Sequence, residues 1–168
     1  MPGPYQLYLI RHAIAENRGP AWPDDTKRPL TSNGMARMKK ATRGLRRLGV
    51  TLEIVLTSPF VRARQTAEIV AAACEPHAQI VNTEALVPGA GYATLVAELG
   101  RHSRKTRIAV VGHEPGIGEL AARLIGSRHP FDFKKGAVCR IDLEEIPPRG
   151  PGHLRWLLTP KMLRAIRQ

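Results

Sequence analysis

The sequence predicts an α/β fold, a three-layer α/β/α sandwich around a mostly parallel central sheet. Three observations support this fold class. Short apolar runs typical of strands alternate with segments typical of helices. The chain has 168 residues, 43% of them hydrophobic, which suits one domain over residues 1–168 with a core large enough to fold alone. Polar side chains suited to chemistry also follow three predicted strands, at the sheet edge where such folds bind ligands.

Each predicted strand is bounded by turn or breaker residues. The first apolar run starts at Tyr5 and is followed by a polar loop, residues 16–29, rich in Gly, Pro and Asp. The last two runs predict a hairpin joined by the Pro/Gly-rich turn at residues 147–152. The predicted strands lie at residues 5–10, 53–57, 78–83, 107–112, 138–143 and 154–158.

Caps and breakers define the ends of the predicted helices. Thr31 and Ser32 are candidate N-caps of the first helix, and Gly49 is placed as its C-terminal stop. Ser58 and Pro59 predict the start of the second helix, because a capping hydroxyl precedes a proline at the first helical position. The predicted helices lie at residues 32–48, 58–74, 92–102, 113–125 and from 160 onward.

Three predicted strands end at side chains that suit a phosphate group. Arg11 and His12 follow the first strand, residues 58–62 follow the second, and His113 follows the strand at residues 107–112. A guanidinium binds phosphoryl oxygens with paired donors, and an imidazole can attack phosphorus. Because the carboxyl ends of parallel strands share one edge, residues about fifty positions apart can meet in one crevice.

Each of these residues alone also has a plain structural interpretation. His12 can simply end a strand, Arg62 can be a solvated helix charge, and His113 can cap backbone groups. Ser58 suits an N-cap better than a nucleophile. Arg64 competes with Arg62 for the crevice, but two positions apart on a helix they point to nearly opposite faces, so only one should enter.

The charge balance predicts an anionic ligand or partner. The chain has 26 Lys and Arg against 14 Asp and Glu, a net charge of +12. The basic residues cluster on the first and last helices, around the strand at residues 107–112 and before the hairpin. They form either a solvated surface or a docking site for an acidic phosphoprotein domain or a polyanion. Aromatic residues are 5% of the chain and not interleaved with these clusters, which argues against a stacking surface for nucleic acid.

Cysteine usage and hydropathy favour a reducing cytoplasm. Cys74 and Cys139 are too few for a disulfide framework or a cysteine-based zinc site. The first residues lack a basic leader and a signal-length apolar segment, and no run approaches the length of a membrane span. We therefore expect no membrane partner.

Three ordered motifs resemble the histidine phosphatase superfamily, also called the phosphoglycerate mutase-like family. The motifs are residues 9–13, 57–67 and 111–113. The small size of the chain, the Arg-Pro-Leu-Thr segment at residues 28–31 and the Gly-His-Glu-Pro segment at residues 112–115 are most similar to SixA-type phosphohistidine phosphatases. The resemblance runs from about Leu7 to Thr159 and implies a phosphoglycerate mutase-like fold.

The resemblance implies a catalytic role for each matched residue. His12 would be the nucleophile that takes the phosphoryl group, and water would hydrolyse the phosphohistidine intermediate. Arg11, Arg62 and a protonated His113 would form the phosphate pocket, with Ser58 beside them. These groups supply the positive charge, so no metal or other cofactor is expected. Alanine at position 13 replaces the superfamily's usual glycine, and a small local adjustment of the backbone is expected there.

The sequence contains no unambiguous motif for a general acid. Glu84, after the third strand, is the nearest candidate, and Glu16 and Glu114 are less favoured. An alcohol leaves poorly without a proton from such an acid, whereas a phosphorylated imidazole departs as neutral imidazole. The weak acid signal therefore favours a metal-independent protein phosphohistidine phosphatase, whose partner would be a phosphorylated protein such as a histidine phosphotransfer domain.

Two alternatives stay open. A phosphomonoesterase would act on small or sugar phosphates with Glu84 as its general acid. In a different class, a non-catalytic protein would keep the pocket to bind phosphate, a polyanion or nucleic acid.

Overall fold

The computed structural model describes residues 4–167, which form a six-stranded sheet with helices on both faces. The strands are β1 (Tyr5–Arg11), β2 (Ile54–Thr57), β3 (Gln79–Asn82), β4 (Arg107–Gly112), β5 (Val138–Leu143) and β6 (His153–Leu158). The helices are α1 (Ser32–Arg47), α2 (Val61–Cys74), α3 (Tyr92–Arg101), α4 (Gly116–Leu124) and α5 (Pro160–Ala165). Within residues 4–167, no helix has both the length and the apolar character that a membrane crossing needs.

The sheet is mostly parallel, as predicted. Its strand order is β3-β2-β4-β1-β5-β6. The first four strands in this order run parallel, and β5 and β6 form the predicted antiparallel hairpin at one edge. β4 therefore pairs directly with β1, although the two strands are far apart in the chain.

The alternation of side chains along β1 shows why helices cover both faces. Leu7 and Leu9 point to the side that carries α3 and α4. Tyr8 and Ile10 point to the side that carries α1, α2 and α5. All four side chains are almost completely buried, because successive residues of a strand face opposite sides of a sheet that is covered on both. This confirms the three-layer α/β/α sandwich.

α1 is held close to its neighbours at two glycines. The Thr31 hydroxyl accepts a hydrogen bond from the Gly34 backbone N–H at 2.8 Å, which confirms Thr31 as the N-cap. A Cβ at Gly34 would collide with the Ile14 carbonyl oxygen, and one at Gly44 with the Leu163 carbonyl oxygen. α1 thus packs backbone to backbone against the segment after β1 and against α5.

Two helices start later than the sequence predicts. α2 begins at Val61, and its N-cap, Phe60, makes no side-chain capping bond, so the prediction that Ser58 caps this helix is wrong. α4 begins at Gly116 instead of at His113. Ser58, which follows β2, and His113, which follows β4, contact each other and lie outside both helices.

Candidate active site

The pairing of β1 with β4 places the two candidate histidines side by side. Arg11 is opposite Gly112 in the register, so His12 and His113 follow paired positions. The His12 backbone N–H donates to the Gly112 carbonyl oxygen at 3.0 Å, and the two imidazole ring centroids are 5.2 Å apart. Both side chains are buried, each with only 6% of its surface exposed.

These histidines line a polar pocket with a volume of about 340 Å³. It lies at the carboxyl ends of β1 and β4, the predicted position for a ligand. The residues that line it are Arg11, His12, Ala15, Glu16, Asn17, Arg18, Arg28, Arg62, Pro88, His113, Glu114 and Lys135. Of the predicted site residues, Arg11, His12, Arg62 and His113 therefore meet in one pocket.

His12 is held as a neutral imidazole with one nitrogen free to react. Its Nδ1 lies 2.7 Å from the Ala13 carbonyl oxygen, which can only accept, so Nδ1 carries the proton. Burial lowers the pKa of His12 to about 3, and the backbone contact with Ala13 only partly opposes this. At neutral pH the Nε2 lone pair is therefore available for attack on an electrophile.

His113 is also neutral, which corrects the expectation of a protonated His113. Burial lowers its pKa to about 4, and the positive charge of Arg62 adds to the effect. Its Nε2 lies 2.8 Å from the Ser58 hydroxyl oxygen. If that hydroxyl donates to Nε2, the His113 proton is on Nδ1, which has no hydrogen-bond partner within residues 4–167.

Ser58 supports the pocket without lining it. The side chain is completely buried, and its oxygen accepts a hydrogen bond from the Phe60 backbone N–H at 3.3 Å in addition to contacting His113. The structure therefore places Ser58 behind the pocket and against His113, and not among the residues that line the pocket as predicted. Local sequence could not show this, because the two residues are 55 positions apart.

Arg11 and Arg62, the two arginines predicted for the pocket, are each fixed at one end by protein acceptors. Arg11 Nη1 donates to the Phe133 carbonyl oxygen at 2.7 Å. Arg62 donates from Nη1 to the Asp25 carbonyl oxygen at 2.8 Å and from Nη2 to the Asp25 carboxylate at 3.0 Å. The Nε atoms of both arginines are buried and have no partner within residues 4–167.

Arg64 lies outside the pocket, although its sequence position competes with that of Arg62. It donates to Glu68 at 2.9 Å and to Asn82 at 3.0 Å on the outer side of α2. Arg62, by contrast, is only 2% exposed. The opposite directions of residues two apart on a helix explain the difference.

Asp25 is the main feature of the site that the sequence did not reveal. In addition to Arg62, its carboxylate accepts a hydrogen bond from Arg28 Nε at 2.9 Å and lies 3.6 Å from Arg18 Nε. Burial alone would raise the pKa of Asp25, but the hydrogen bonds from Arg28 and Arg62 outweigh it and lower the pKa below the usual range. The closest feature of the sequence that pointed to this region was the Arg-Pro-Leu-Thr segment, which starts at Arg28, three positions after Asp25.

The carboxylates in the pocket differ from the one that the sequence favoured. Glu84 is exposed, lies in a short 3-10 helix and does not line the pocket. Glu16 and Glu114 do line it. Burial raises the pKa of Glu114 despite a hydrogen bond of 3.0 Å from the Gly118 backbone N–H. Among described residues, Glu114 is thus a pocket carboxyl with an increased tendency to hold a proton.

Ala13 fits its position without an unusual backbone conformation. It is buried, its N–H donates to the Thr66 hydroxyl at 3.0 Å, and no non-glycine residue within residues 4–167 has a positive φ. The methyl group of alanine is therefore accommodated where relatives are expected to carry glycine.

Comparison with known proteins identifies the family. The sequence model of the histidine phosphatase superfamily (branch 1) matches residues 7–87. An uncharacterised protein of Picosynechococcus is 36% identical over 165 residues, covering 94% of this chain and 98% of that protein. Phosphohistidine phosphatase SixA of Escherichia coli K12 is 30% identical over 166 residues, covering 96% of this chain and 99% of SixA.

A solved structure gives the same result for the fold. The structure of the protein histidine phosphatase SixA complexed with tungstate superposes with a TM-score of 0.82 at 28% identity. The match covers 93% of this chain and 97% of that one. Identity and fold thus agree over almost the whole length, which sets aside the alternative of a non-catalytic binding protein. The chain belongs to the histidine phosphatase superfamily and is a phosphatase of the SixA type.

Proposed function

We propose that this phosphatase hydrolyses phosphohistidine on proteins through a covalent phosphohistidine intermediate on His12. The observation that carries the proposal is a set of buried donors around a neutral imidazole. Four buried side-chain polar atoms lack a hydrogen-bond partner within residues 4–167, and three of them, Arg11 Nε, Arg62 Nε and His113 Nδ1, belong to the pocket that contains His12. Buried polar atoms without partners are costly, so their grouping beside His12 supports an anionic ligand at this pocket.

A phosphoryl group satisfies these donors and explains their arrangement. Its equatorial oxygens are acceptors that carry the negative charge of the transition state, and two guanidinium groups stabilise that charge. Arg62 and Arg11 are already anchored by Asp25 and Phe133, so little reorganisation is needed when the phosphoryl group arrives.

The reaction then proceeds in two displacements. The Nε2 lone pair of His12 forms a bond to phosphorus while the substrate P–N bond breaks and its electron pair goes to the leaving imidazole. A substrate imidazole protonated on its other nitrogen leaves as a neutral molecule. Water then attacks phosphorus, the bond to His12 Nε2 breaks, and inorganic phosphate and free His12 are formed.

The proposed substrate is a phosphorylated protein, such as a histidine phosphotransfer domain. The similar SixA proteins are described as phosphohistidine and protein histidine phosphatases. A phosphoramidate also needs less help from an acid than an ester does, and neither Glu16 nor Glu114 makes a contact that would hold it against His12.

Replacing the nucleophile tests the proposal. His12→Ala should abolish turnover of a phosphohistidine protein and the acid-labile 32P label that the wild-type enzyme acquires during turnover. His77→Ala changes an exposed histidine in the turn before β3 and should leave both unchanged. A His12→Ala enzyme that keeps its activity, or a wild-type enzyme that is labelled at another residue, would contradict the mechanism.

Glu114 favours a second candidate function, hydrolysis of small phosphomonoesters. Its raised pKa suits a general acid that protonates a leaving alcohol. In that case Glu114→Gln should lower kcat for an aryl or sugar phosphate by about a hundredfold or more. Glu84→Gln is the matched control, because Glu84 lies outside the pocket. If Glu114→Gln instead leaves ester hydrolysis unchanged, Glu114 is not the general acid.

A further inference from the structure

A second concave surface, which we call the basic groove, lies between α1, α5 and the segment before β5. It has a volume of about 340 Å³. Within residues 4–167, five cationic side chains line it, and no aspartate or glutamate does. The cations are Arg37, Lys134, Lys135, Lys161 and Arg164.

The cations of the basic groove are largely without counterions. Lys134 is 3.9 Å from Asp132, which is itself exposed. The other four make no ion pair with a carboxylate within residues 4–167. Elsewhere several arginines are paired, for example Arg140 and Arg155 with Asp142 at 2.8 and 2.7 Å. The groove therefore concentrates positive potential that carboxylates of the described residues leave largely unneutralised.

The floor of the basic groove is apolar. Ala13, Ile14, Met38 and Pro160 line it below the charged rim. A Cβ at Gly136 would come within 3.0 Å of Pro160 Cγ and 3.2 Å of Met38 Sδ, so the floor is tightly packed. A surface with an apolar floor and a cationic rim suits a segment that presents both apolar and acidic side chains.

The basic groove is adjacent to the catalytic pocket. Lys135 lines both, and Ala13 of the groove directly follows His12. The two surfaces are also tied through the backbone, because the Gly136 N–H bonds to the carbonyl oxygens of Arg11 and His12 at 3.1 and 3.0 Å. A chain seated in the groove can therefore place a neighbouring side chain in the pocket.

We propose that the basic groove is the docking surface for an acidic segment of the phosphoprotein substrate, next to the phosphohistidine that enters the pocket. The inference rests on the proposed phosphohistidine phosphatase activity. A protein segment fits better than a nucleic acid. In the described part of the chain, no aromatic side chain lines the groove for base stacking, and the floor suits apolar side chains.

The test uses two short peptides, each with one histidine phosphorylated by phosphoramidate, flanked either by glutamates or by lysines. Free phosphohistidine serves as a substrate too small to reach the groove. The groove variant is Arg37→Glu with Lys161→Glu, because both side chains are exposed and outside the catalytic pocket. The control is Lys39→Glu with Arg43→Glu on the opposite face of α1, which makes the same change in net charge.

We expect the wild-type enzyme to show a KM about tenfold lower for the acidic peptide than for the basic one, with the preference weakened by salt. The groove variant should lose this preference but hydrolyse free phosphohistidine normally, and the control variant should behave as wild type. Equal KM values for the two peptides, or equal losses in both variants, would overturn the docking surface.

Failure of the proposed activity gives a different result. In that case the wild-type enzyme hydrolyses neither peptide nor free phosphohistidine. Fluorescence anisotropy with unphosphorylated peptides then tests the groove directly: binding of the acidic peptide that is lost only in the groove variant supports it. An oligonucleotide that binds the groove more tightly than the acidic peptide would show that the surface serves nucleic acid instead.

Discussion

At the scale of single residues, the site depends on a carboxylate that does not itself suit a phosphate. Asp25 accepts hydrogen bonds from Arg62 and Arg28 and lies near Arg18, so one negative charge holds several positive ones around the pocket. Burial lowers the pKa of Arg62, the nearby Arg28 charge adds to this, and Asp25 opposes both. Without Asp25, the positive charges of these arginines would repel one another with no negative charge between them.

Asp25→Asn should therefore impair both catalysis and stability. We expect kcat/KM to fall at least about tenfold, because Arg62 loses the partner that orients it. The free energy of unfolding should fall by about 1–2 kcal/mol, because Arg62 is almost completely buried while the Asp25 side chain is 39% exposed. Asp24→Asn is the control, because the polar contacts of the Asp24 side chain are with Thr26 and Lys27 and not with an arginine of the pocket. Equal effects of the two substitutions in kinetics and urea denaturation would contradict this role.

The two buried histidines predict a dependence of stability on pH. Burial lowers the pKa of His12 to about 3 and that of His113 to about 4, whereas an unfolded histidine titrates near 6.5. Below about pH 6.5 the unfolded chain binds more protons than the folded one, so stability is fully present above that pH and is lost as pH falls toward 4.

Each buried histidine contributes a slope of about 1.4 kcal/mol per pH unit in that range. His12→Asn should lower the slope of the free energy of unfolding against pH by the contribution of one histidine. Urea denaturation between about pH 6 and pH 5 measures this slope. A slope that is the same in wild type and His12→Asn would show that His12 titrates normally.

The sequence predicted the residues that line the pocket better than the residues that hold them in place. Arg11, His12, Arg62 and His113 could be found because each follows a strand or begins a helix at the expected edge of the sheet. Asp25 contacts Arg62, 37 positions away in the sequence, and Ser58 contacts His113, 55 positions away. These residues come together only when the sheet has formed. Glu84 was favoured because it follows a strand, but its strand lies at the far edge of the sheet.

At the scale of elements, the close contact of α1 with α5 depends on Gly44. A methyl group there would collide with the Leu163 backbone, which cannot move without shifting α5. Gly44→Ala should therefore lower the free energy of unfolding by about 1–3 kcal/mol. In Gly100→Ala, in α3, the added methyl group would lie 3.7 Å from the Pro147 side chain, which is an ordinary contact. This substitution should therefore raise the free energy of unfolding by about 0.5–1 kcal/mol. Urea denaturation of both variants measures the difference; stabilisation by Gly44→Ala would contradict the packing.

Helix starts were the least accurate part of the prediction, for a physical reason. The Ser58-Pro59 pair is a strong local start signal, but the Ser58 hydroxyl contacts His113 as well as its own turn. The turn after β4 likewise keeps His113 outside α4. Local propensity is outweighed where a tertiary contact needs the same side chain.

At the scale of the whole molecule, one hydrogen-bonded sheet joins the pocket to both layers of helices. Binding of a phosphate-like anion in the pocket should therefore stabilise the entire fold. At a tungstate concentration about a hundredfold above Kd, this gain in the free energy of unfolding should be about 2.7 kcal/mol.

Arg62→Lys should remove most of this gain, because a lysine keeps the charge but not the paired donors. Arg64→Lys, outside the pocket, should keep it. Thermal unfolding with and without tungstate measures the effect. A similar shift in Tm for both variants would mean that tungstate binds elsewhere.

The sequence also predicted the layers and the parallel sheet, but not the order of its strands. The alternation of strands and helices indicates which elements form, and it does not indicate that β4 lies between β2 and β1. That order is set by packing of the whole sheet. It is also the order that brings His12 and His113 together.

The paired register of β1 and β4 makes the spacing of the two histidines intolerant of insertions and deletions. Arg11 faces Gly112 across neighbouring strands, so adding one residue to either strand would shift one imidazole by about 3.3 Å and turn the strand's side chains to the other face. Changes in chain length between relatives should therefore collect in loops such as residues 144–152, and libraries that vary loop length there should retain an intact pair of histidines.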